Sequence, residues 1–417
     1  MKTVLILGAG TAGTAMAHKL RRRLPKDWDV AVVDPSTTHL YQPGLLFLPF
    51  GDETESRILR ERSATLGKGI TWHRTEVRSI DTERQTVDVS DGEPLHYDFL
   101  IIATGTEIRP DMIDGMLGSG WRESVFDFYS LDGAKALQAA LAEFEGGRLV
   151  VNVVEMPIKC PVAPLEFAFL TDAYLTKRGI RHKTELVYAT PLDAAFTKPL
   201  ASKMLGYLLE EKGILVEAEF MTGEVDAEAR VIRSYDEREV PYDLLVTVPP
   251  HTGASFLEDG PLGDELGFVP TDQRTLAVKG QDRVFCMGDA TDLPSSKAGS
   301  VAHFQADLLV ENMERVIAGQ APEPTFDGHS NCFVETGFGK AMLIDFNYDT
   351  EPLPGQFPFP GIGPLPLLKE ARRNHWAKLA FRWVYWNALL PARPLPFPPT
   401  MSLAGKQLSA AAELGGE

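Results

Sequence analysis

A glycine pattern in the first 34 residues determines how this end of the chain folds. A β-rich run at 3–7 precedes Gly8-Ala9-Gly10-Thr11-Ala12-Gly13, a helical pattern continues to Leu24, and an apolar run at 29–33 ends at Asp34. In a dinucleotide-binding βαβ unit the three glycines permit a tight turn, a close approach of pyrophosphate and close helix–strand packing, and a following acid binds the ribose. The sequence therefore predicts a dinucleotide-binding fold with these cofactor-binding residues: Gly8, Gly10, Ala12, Gly13 and Asp34.

Two later segments are typical of strands that return to the same nucleotide in flavoproteins with two dinucleotide-binding domains. Residues 97–105 are an apolar run that closes on Ala103-Thr104-Gly105, and residues 283–290 end in Gly288-Asp289, whose carboxylate binds the ribityl chain in such proteins. They predict a discontinuous FAD-binding domain, 1–110 plus 280–320, with a second Rossmann-like domain at 111–279. The fold class is α/β, with the two Rossmann-like domains in tandem and a C-terminal membrane-interacting region at 321–417.

The second domain lacks the glycine loop that a nicotinamide cofactor would need. A strand at 149–154 is followed by Pro157, Lys159, Cys160 and Pro161, with no glycine between them. Cys160 thus follows a strand in a rigid turn, and the adjacent lysine is expected to lower the pKa of the thiol. This substitution indicates that electrons enter the flavin through sulfur chemistry rather than from NADH.

Composition excludes several classes of protein. The net charge of −17 argues against nucleic acid as a partner, because a polyanion is repelled. The three cysteines form no C-x-x-C pair, so no metal site is expected. No signal peptide is visible, and no apolar run reaches the roughly 20 residues that span a bilayer.

The last hundred residues have a different composition. Residues 352–366 hold six prolines and residues 391–399 hold five, which predicts extended chain rather than helix or central strand. Between them a helix is predicted at 376–390, with an apolar stripe on one face and Lys378 and Arg382 opposite; the stripe comprises Trp376, Leu379, Trp383, Trp386 and Leu390. Such a helix packs on its own core or a dimer partner, or lies on a membrane as a monotopic anchor, and the basic flanks favour the anchor. A homo-oligomer stays possible.

Together these motifs resemble the sulfide:quinone oxidoreductases, a branch of the flavin disulfide-reductase superfamily, over essentially the whole chain. The FAD framework carries the general part of the resemblance. Lys159-Cys160 and Ser330-Asn331-Cys332 carry the specific part. Gln42, in Tyr41-Gln42-Pro43, matches a stretch near the flavin, and Val77 completes the predicted cofactor-binding residues.

The resemblance implies an enzyme that oxidises sulfide to persulfide or polysulfide sulfur and passes electrons through FAD to a membrane quinone. Cys160 and Cys332 would be the redox pair, since sulfide can attack a disulfide sulfur and release the other cysteine as thiolate. Lys297 would stabilise negative charge on the reduced flavin. Many members also hold FAD through a further cysteine, but residues 123–131 contain none, so FAD is expected to be non-covalent.

Four side chains have an ordinary structural explanation beside the functional one. Cys286, between Phe285 and Met287, is expected to be a buried filler. Glu166 is either an acid/base near the cysteines or a solvated acid in the first turns of a helix. His251 is the histidine expected nearest the flavin, although an ordinary surface or loop position would explain this residue and every other histidine in the chain. Lys297 would be a surface lysine without the family match.

Three other functions compete with this interpretation. A flavocytochrome c-type sulfide dehydrogenase subunit would need an export signal and would not need the basic aromatic C-terminus. A type II NADH dehydrogenase would need the second glycine loop. A non-catalytic flavin-binding sensor could use the same cysteines as a thiol switch.

Overall fold

The computed structural model describes residues 2–359, 363–395 and 398–408. Its strands, in chain order, are β1 (Lys2–Leu7), β2 (Trp28–Val33), β3 (Thr38–Leu40), β4 (Leu59–Glu61), β5 (Thr71–His73), β6 (Val77–Asp81), β7 (Thr86–Val89), β8 (Leu95–His96), β9 (Phe99–Ile102), β10 (Glu107–Ile108), β11 (Val125–Phe126), β12 (Gly147–Val153), β13 (Thr184–Ala189), β14 (Leu215–Glu217), β15 (Thr222–Asp226), β16 (Val231–Ser234), β17 (Glu239–Pro241), β18 (Leu244–Val248), β19 (His251–Thr252), β20 (Val284–Cys286), β21 (Ser330–Gly337), β22 (Lys340–Phe346), β23 (Gly355–Phe357) and β24 (Leu365–Leu367). The helices are α1 (Thr11–Arg23), α2 (Glu55–Ile58), α3 (Arg62–Thr65), α4 (Leu131–Glu143), α5 (Ala163–Lys177), α6 (Pro199–Glu211), α7 (Ser255–Glu258), α8 (Gly299–Ile317) and α9 (Arg372–Val384).

The first large sheet is parallel and has the order β20-β9-β1-β2-β5. Its strands read as continuous apolar runs because helices or loops cover both faces. The glycine loop joins β1 to α1, and the third glycine is forced by packing. A Cβ on Gly13 would lie 1.9 Å from the Gly8 carbonyl oxygen, so only glycine lets α1 approach β1 this closely.

The second large sheet, β11-β18-β12-β13-β14, is also parallel. Strand β12 ends at Val153, the turn carrying Cys160 follows, and α5 begins at Ala163. The two parallel sheets confirm the predicted α/β class with two Rossmann-like units. The predicted domain boundaries stay a prediction.

A third sheet, β21-β22-β24-β23, corrects the expectation that residues 352–366 avoid regular strands. β24 contains Pro366 and lies between β22 and β23. The sheet tolerates this proline because β24 pairs with β22 only at Leu343 and Leu367, and the amide of Leu368 donates to the Leu343 carbonyl. Residues 360–362 and 396–397 of the proline-rich segments lie outside the described residues.

The C-terminal helix begins earlier than predicted, and its apolar stripe does not lie on one exposed face. α9 begins at Arg372, and residues Tyr385–Leu389 continue it as a π-helical turn. Trp376 and Trp383 are 67% and 68% exposed, whereas Trp386 and Leu390 are buried. The π-turn rotates the last residues towards the core, so the predicted single stripe is divided into an exposed part and a buried part.

Candidate active site

A cavity of about 230 Å³ lies where the two Rossmann-like units and α9 meet. Its walls come from chain segments far apart in sequence: residues 10–12, 42–43, 45–46, 103–106, 128–129, 159–160, 288–289 and 297–299, with further residues from α5, α8 and the C-terminal helix. The predicted cofactor-binding residues Gly10, Ala12, Gln42, Ala103, Thr104, Gly105, Gly288, Asp289 and Lys297 all line it. The carboxyl ends of β1, β9 and β20 converge here, as expected for a nucleotide site on a parallel sheet.

The residues present fit FAD. The hydroxyls of Thr104 and Thr106 are buried, line the cavity and have no hydrogen-bond partner within the described residues. Gly10 borders open space, with no atom within 4 Å of where a Cβ would stand, which leaves its backbone free for a close approach of phosphate. Unsatisfied donors and an open glycine loop are what a polar ligand of this kind requires.

Four predicted cofactor-binding residues do not line the cavity. Gly8 and Gly13 lie on the side of the glycine loop that packs against β9 and α1, away from the cavity. The Asp34 carboxylate accepts hydrogen bonds from the Ala9 amide (2.7 Å) and from Arg62 (3.2 Å), so it orders the glycine loop. Val77 packs against the core below the first sheet, away from the cavity. A ribose contact of Asp34 stays a prediction.

Cys160 is held in a turn that touches both Rossmann-like units. It adopts φ +50°, its amide donates to the Lys297 carbonyl (2.7 Å), and its own carbonyl accepts from the amide of Ala163 (2.9 Å) and the hydroxyl of Tyr129 (3.3 Å). The turn therefore fixes the thiol at the cavity wall, immediately before α5.

The structure brings Cys332 towards Cys160 and keeps Cys286 apart. Cys332 lies on β21, which packs against α5, and it belongs to the same buried cluster that Cys160 contacts. Both are free thiols, and their charges interact. Cys286 is fully buried in a separate core below the first sheet, as predicted.

Glu166 is buried, so the solvated acid considered from the sequence is wrong. Its side chain is 1% exposed, forms an ion pair with Lys378 of α9, and accepts the amide of Glu335 on β21 at 2.6 Å. The Lys378 ammonium also donates to the carbonyl of Phe333 (3.1 Å). Because β21 is at the edge of its described sheet, this ion pair satisfies backbone groups that the strand would otherwise leave unpaired.

The pKa of the Cys160 thiol is higher than the sequence predicted, and the pKa of the Cys332 thiol is raised as well. Burial, together with the carboxylate of Glu166, raises the pKa of Cys160 to about 12, although Lys378 opposes the rise. Burial also raises the pKa of Cys332, with further contributions from Cys160 and Glu166. The expectation of a lowered thiol pKa is wrong, because burial and Glu166 outweigh the nearby cations. The Lys159 ammonium points to the Tyr129 carbonyl, and Lys378 is the cation that most opposes the rise.

Lys297 is a buried part of the cavity wall and not a surface residue. Its ammonium donates to the carbonyls of Asp289 (2.8 Å) and Thr291 (2.7 Å). Burial lowers the pKa of Lys297, while Asp289 opposes that shift, so a bound anion would be strongly favoured beside it.

His251 lies one layer behind the cavity. It is 1% exposed and packs edge-on against Tyr129, with ring centroids 5.2 Å apart. Burial and the nearby Lys159 lower the pKa of His251 to about 3. This histidine is therefore neutral at physiological pH.

The sequence analysis missed the contribution of the C-terminal helix to the cavity, which is lined by Lys378, Phe381 and Tyr385. The Tyr385 hydroxyl bonds to Thr11 in the glycine loop (2.8 Å) and to His39 (2.6 Å). A signal was available: these three residues follow helical spacing on the face opposite Trp376 and Trp383.

The described residues contain neither a cluster suited to a metal ion nor a membrane-spanning helix. No group of three or more His, Cys, Asp or Glu side chains is arranged to hold a metal in this part of the chain. Among the helices that the structure describes, none has the length and apolar character needed to cross a bilayer.

Comparisons with known proteins agree with this geometry. Residues 2–154 match the family model described as pyridine nucleotide-disulphide oxidoreductase. The mitochondrial sulfide:quinone oxidoreductases of Mus musculus and Dictyostelium discoideum are 29% and 27% identical, over 93% and 94% of this chain and 86% of each relative. The crystal structure of the sulfide:quinone oxidoreductase from Aquifex aeolicus has the same fold, with a TM-score of 0.77, 20% identity and coverage of 93% of this chain and 92% of that one.

The fold, the cavity and these similarities define an FAD-dependent oxidoreductase. Within that class the chain is a homologue of the sulfide:quinone oxidoreductases, which confirms the resemblance seen in its sequence motifs.

The charges around Cys160 predict opposite effects of two substitutions on the pKa of its thiol. Glu166→Gln removes a carboxylate that raises this pKa, so the pKa should fall and alkylation near neutral pH should accelerate. Lys378→Met removes a cation that lowers it, so the pKa should rise and alkylation should slow. The pH dependence of iodoacetamide labelling, resolved by mass spectrometry with Cys286 as internal control, measures both. Shifts in the same direction would contradict the assignment.

Proposed function

We propose that this enzyme oxidises sulfide at Cys160 and Cys332 and passes the two electrons through FAD to a membrane quinone. The observation that carries the proposal is that Cys332, buried on β21, lies near Cys160 and Glu166, which line a cavity that also contains the FAD framework. The names of the relatives that cover most of this chain support the same substrates.

In the proposed reaction the residues of this chain have separate tasks. When bound, the flavin supplies a carrier that takes electrons in pairs. Hydrosulfide attacks the oxidised cysteine pair, forms an S–S bond with one sulfur as persulfide, and releases the other sulfur as a thiolate. Lys378 stabilises that thiolate, and Glu166 holds Lys378 in place and accepts or returns a proton. Lys297 and Asp289 also line the cavity, where the lysine would balance negative charge.

The outer face of α9 is the proposed membrane contact. Trp376, Leu379 and Trp383 are exposed on this face, and Arg372 and Arg373 at the start of the helix are exposed as well. Tryptophan and arginine side chains at one helix face suit the interface between lipid headgroups and acyl chains. The inner face of the same helix lines the cavity, so a quinone would enter beside it from the lipid. This placement makes the enzyme a peripheral, monotopic membrane protein.

The division into an FAD-binding domain (1–110 plus 280–320), a second Rossmann-like domain (111–279) and a C-terminal region (321–417) belongs to the same proposal. The first large sheet takes its strands from residues 2–102 and 284–286, and the second from residues 125–248, which supports it.

The competing functions are not favoured. Where a nicotinamide-binding domain would place its glycine loop, the second sheet has the Cys160 turn, so a type II NADH dehydrogenase lacks support. A flavocytochrome-type subunit leaves the aromatic outer face of α9 without a role. A sensor would not need a cavity that opens beside that helix.

We predict that FAD is held without a covalent bond. The three cysteines all lie at or beyond residue 160, and the stretch at 123–131 contains none. Acid precipitation should release the yellow chromophore into the supernatant. Flavin that stays with the pellet after washing would contradict non-covalent binding.

Substituting each cysteine in turn should separate the redox pair from the structural thiol. Cys160→Ser and Cys332→Ser each leave no disulfide for sulfide to open, so anaerobic flavin bleaching by sulfide should slow by orders of magnitude. Cys286→Ser should lower the free energy of unfolding by about 1 kcal/mol, while bleaching survives. Stopped-flow absorbance of the three variants is the measurement. Near-normal bleaching in Cys160→Ser, or its loss in folded Cys286→Ser, would refute the assignment.

Membrane binding should depend on the exposed tryptophans of α9. Truncation before this helix would also remove Lys378 and Tyr385 from the cavity, so point substitution is the cleaner test. Trp376→Gln with Trp383→Gln should release the protein from liposomes in a flotation assay, with FAD retained. Tyr207→Gln with Tyr235→Gln, at exposed aromatics of the second Rossmann-like unit, is the matched control. Equal flotation of both double variants would refute this membrane contact.

A further inference from the structure

A second cavity, of about 900 Å³, opens on the far side of the Glu166–Lys378 ion pair from the first. Its walls combine aromatic side chains, among them Phe47, Phe50 and Tyr174, with several ionisable groups: Asp52, Lys177, Arg178, Glu335 and His375. Unlike the cavity described above, it contains none of the predicted cofactor-binding residues. The two cavities are separated by β21 and by the facing sides of α5 and α9.

Glu335 and His375 connect the buried ion pair to this second cavity. The amide of Glu335 donates to the Glu166 carboxylate at 2.6 Å, and its own carboxylate, fully buried, bonds to the His375 ring nitrogen Nδ1 at 2.9 and 3.0 Å. The His375 side chain is 20% exposed, against 12% for Lys378, 1% for Glu166 and 0% for Glu335, so it is the most exposed of these four side chains. A series of ionisable groups thus extends from the thiols to the second cavity: Cys160, Glu166, Lys378, Glu335 and His375. The Glu335 carboxylate acts on the Glu166–Lys378 pair through its charge, since the hydrogen bond to Glu166 comes from the Glu335 amide.

The proposed reaction, on which this inference rests, needs a proton from solvent in every turnover. Oxidation of hydrosulfide releases two electrons and one proton, HS⁻ → S + H⁺ + 2e⁻, with the sulfur retained as persulfide. Reduction of the quinone consumes two protons, Q + 2e⁻ + 2H⁺ → QH₂. One proton must therefore reach a cavity whose opening faces lipid, where protons are scarce.

We propose that Glu335 and His375 deliver this proton from the second cavity to the Glu166–Lys378 pair. His375 takes the proton from solvent and passes it to the Glu335 carboxylate. That carboxylate passes it on to the pair, directly or through a water molecule drawn from the cavity that it lines. Proton entry and quinone entry then use opposite sides of α9. Both are positioning residues, since neither touches the FAD cavity.

Electrostatics support this connection. Burial lowers the pKa of Lys378, but the carboxylates around it raise this pKa by more. Glu166 is the larger of these contributions, and Glu335 is the next. Glu335 also adds to the raised pKa of Glu166, where burial is the main cause. The other charged groups facing His375 are Asp52 and the cations Lys177 and Arg178 at the end of α5. Burial raises the pKa of Asp52, while Lys177 and His375 oppose that shift.

Chemical rescue can distinguish a proton relay from a structural contact. His375→Ala and Glu335→Gln should each lower kcat for sulfide-dependent reduction of a soluble quinone analogue by on the order of tenfold or more, with KM for the quinone unchanged. Their solvent deuterium isotope effects on kcat should rise. Added imidazole should restore His375→Ala, because it can enter the second cavity, and should not restore Glu335→Gln.

His182→Ala is the matched control, since His182 is an exposed histidine away from both cavities. The inference is overturned if both relay variants keep kcat and isotope effect within about twofold of wild type, or if imidazole accelerates His182→Ala as much as His375→Ala. Should Glu335→Gln fail to fold, His375→Ala, at a partly exposed side chain, decides alone.

A second measurement does not depend on the proposed substrates. Light and a deazaflavin mediator reduce the bound flavin without sulfide or quinone, and an indicator dye follows proton uptake in weakly buffered solution. Uptake should slow in His375→Ala and stay normal in His182→Ala. If wild type shows no sulfide:quinone turnover, the proposed function fails while this measurement still decides the relay; normal uptake in His375→Ala would overturn the relay alone.

Discussion

The ion pair between Glu166 and Lys378 is the contact that joins the second Rossmann-like unit to two elements of the C-terminal region, α9 and β21. Glu166 comes from α5 of the second Rossmann-like unit, Lys378 from the C-terminal helix, and both bind backbone groups of β21. A buried ion pair adds little net stability, because desolvating two charges costs about as much as their attraction returns. Its value here is geometric. It satisfies an edge strand that would otherwise be buried unpaired, and it places a cation and a carboxylate beside two thiols.

Much of the site was predictable from local sequence, because each local pattern has a backbone cause. Gly8, Gly10 and Gly13 predict a turn that only glycine can make, and Gly288-Asp289 follows its strand as expected. Cys160 was recognisable since it stands where a second glycine loop would be. These features depend on residues within one βαβ unit, so no tertiary information is needed to locate them.

Features that depend on packing between distant segments were not predictable. Lys378 lies 212 residues from Glu166, and the amphipathic pattern of α9 does not say which of its two faces meets the core. The π-turn at Tyr385–Leu389 also changes the direction of the last side chains, so Trp386 turns inward although its spacing matches the exposed stripe. The pKa of Cys160 was predicted with the wrong sign for a related reason, since an adjacent lysine in sequence need not point at the thiol.

The high pKa of the thiols has a consequence for the proposed reaction. A thiolate whose conjugate acid has a pKa of about 12 is a poor leaving group, and burial and Glu166 would raise this pKa further if Lys378 did not oppose them. Lys378 limits this cost by stabilising charge at the departing sulfur, while Glu166 limits how far the cation can move. Because the same ammonium is bound to the Phe333 carbonyl of β21, its position is set by the strand that carries Cys332. The position of the second cysteine and the activation of the first therefore depend on one edge strand, and a change that shifts β21 alters both together.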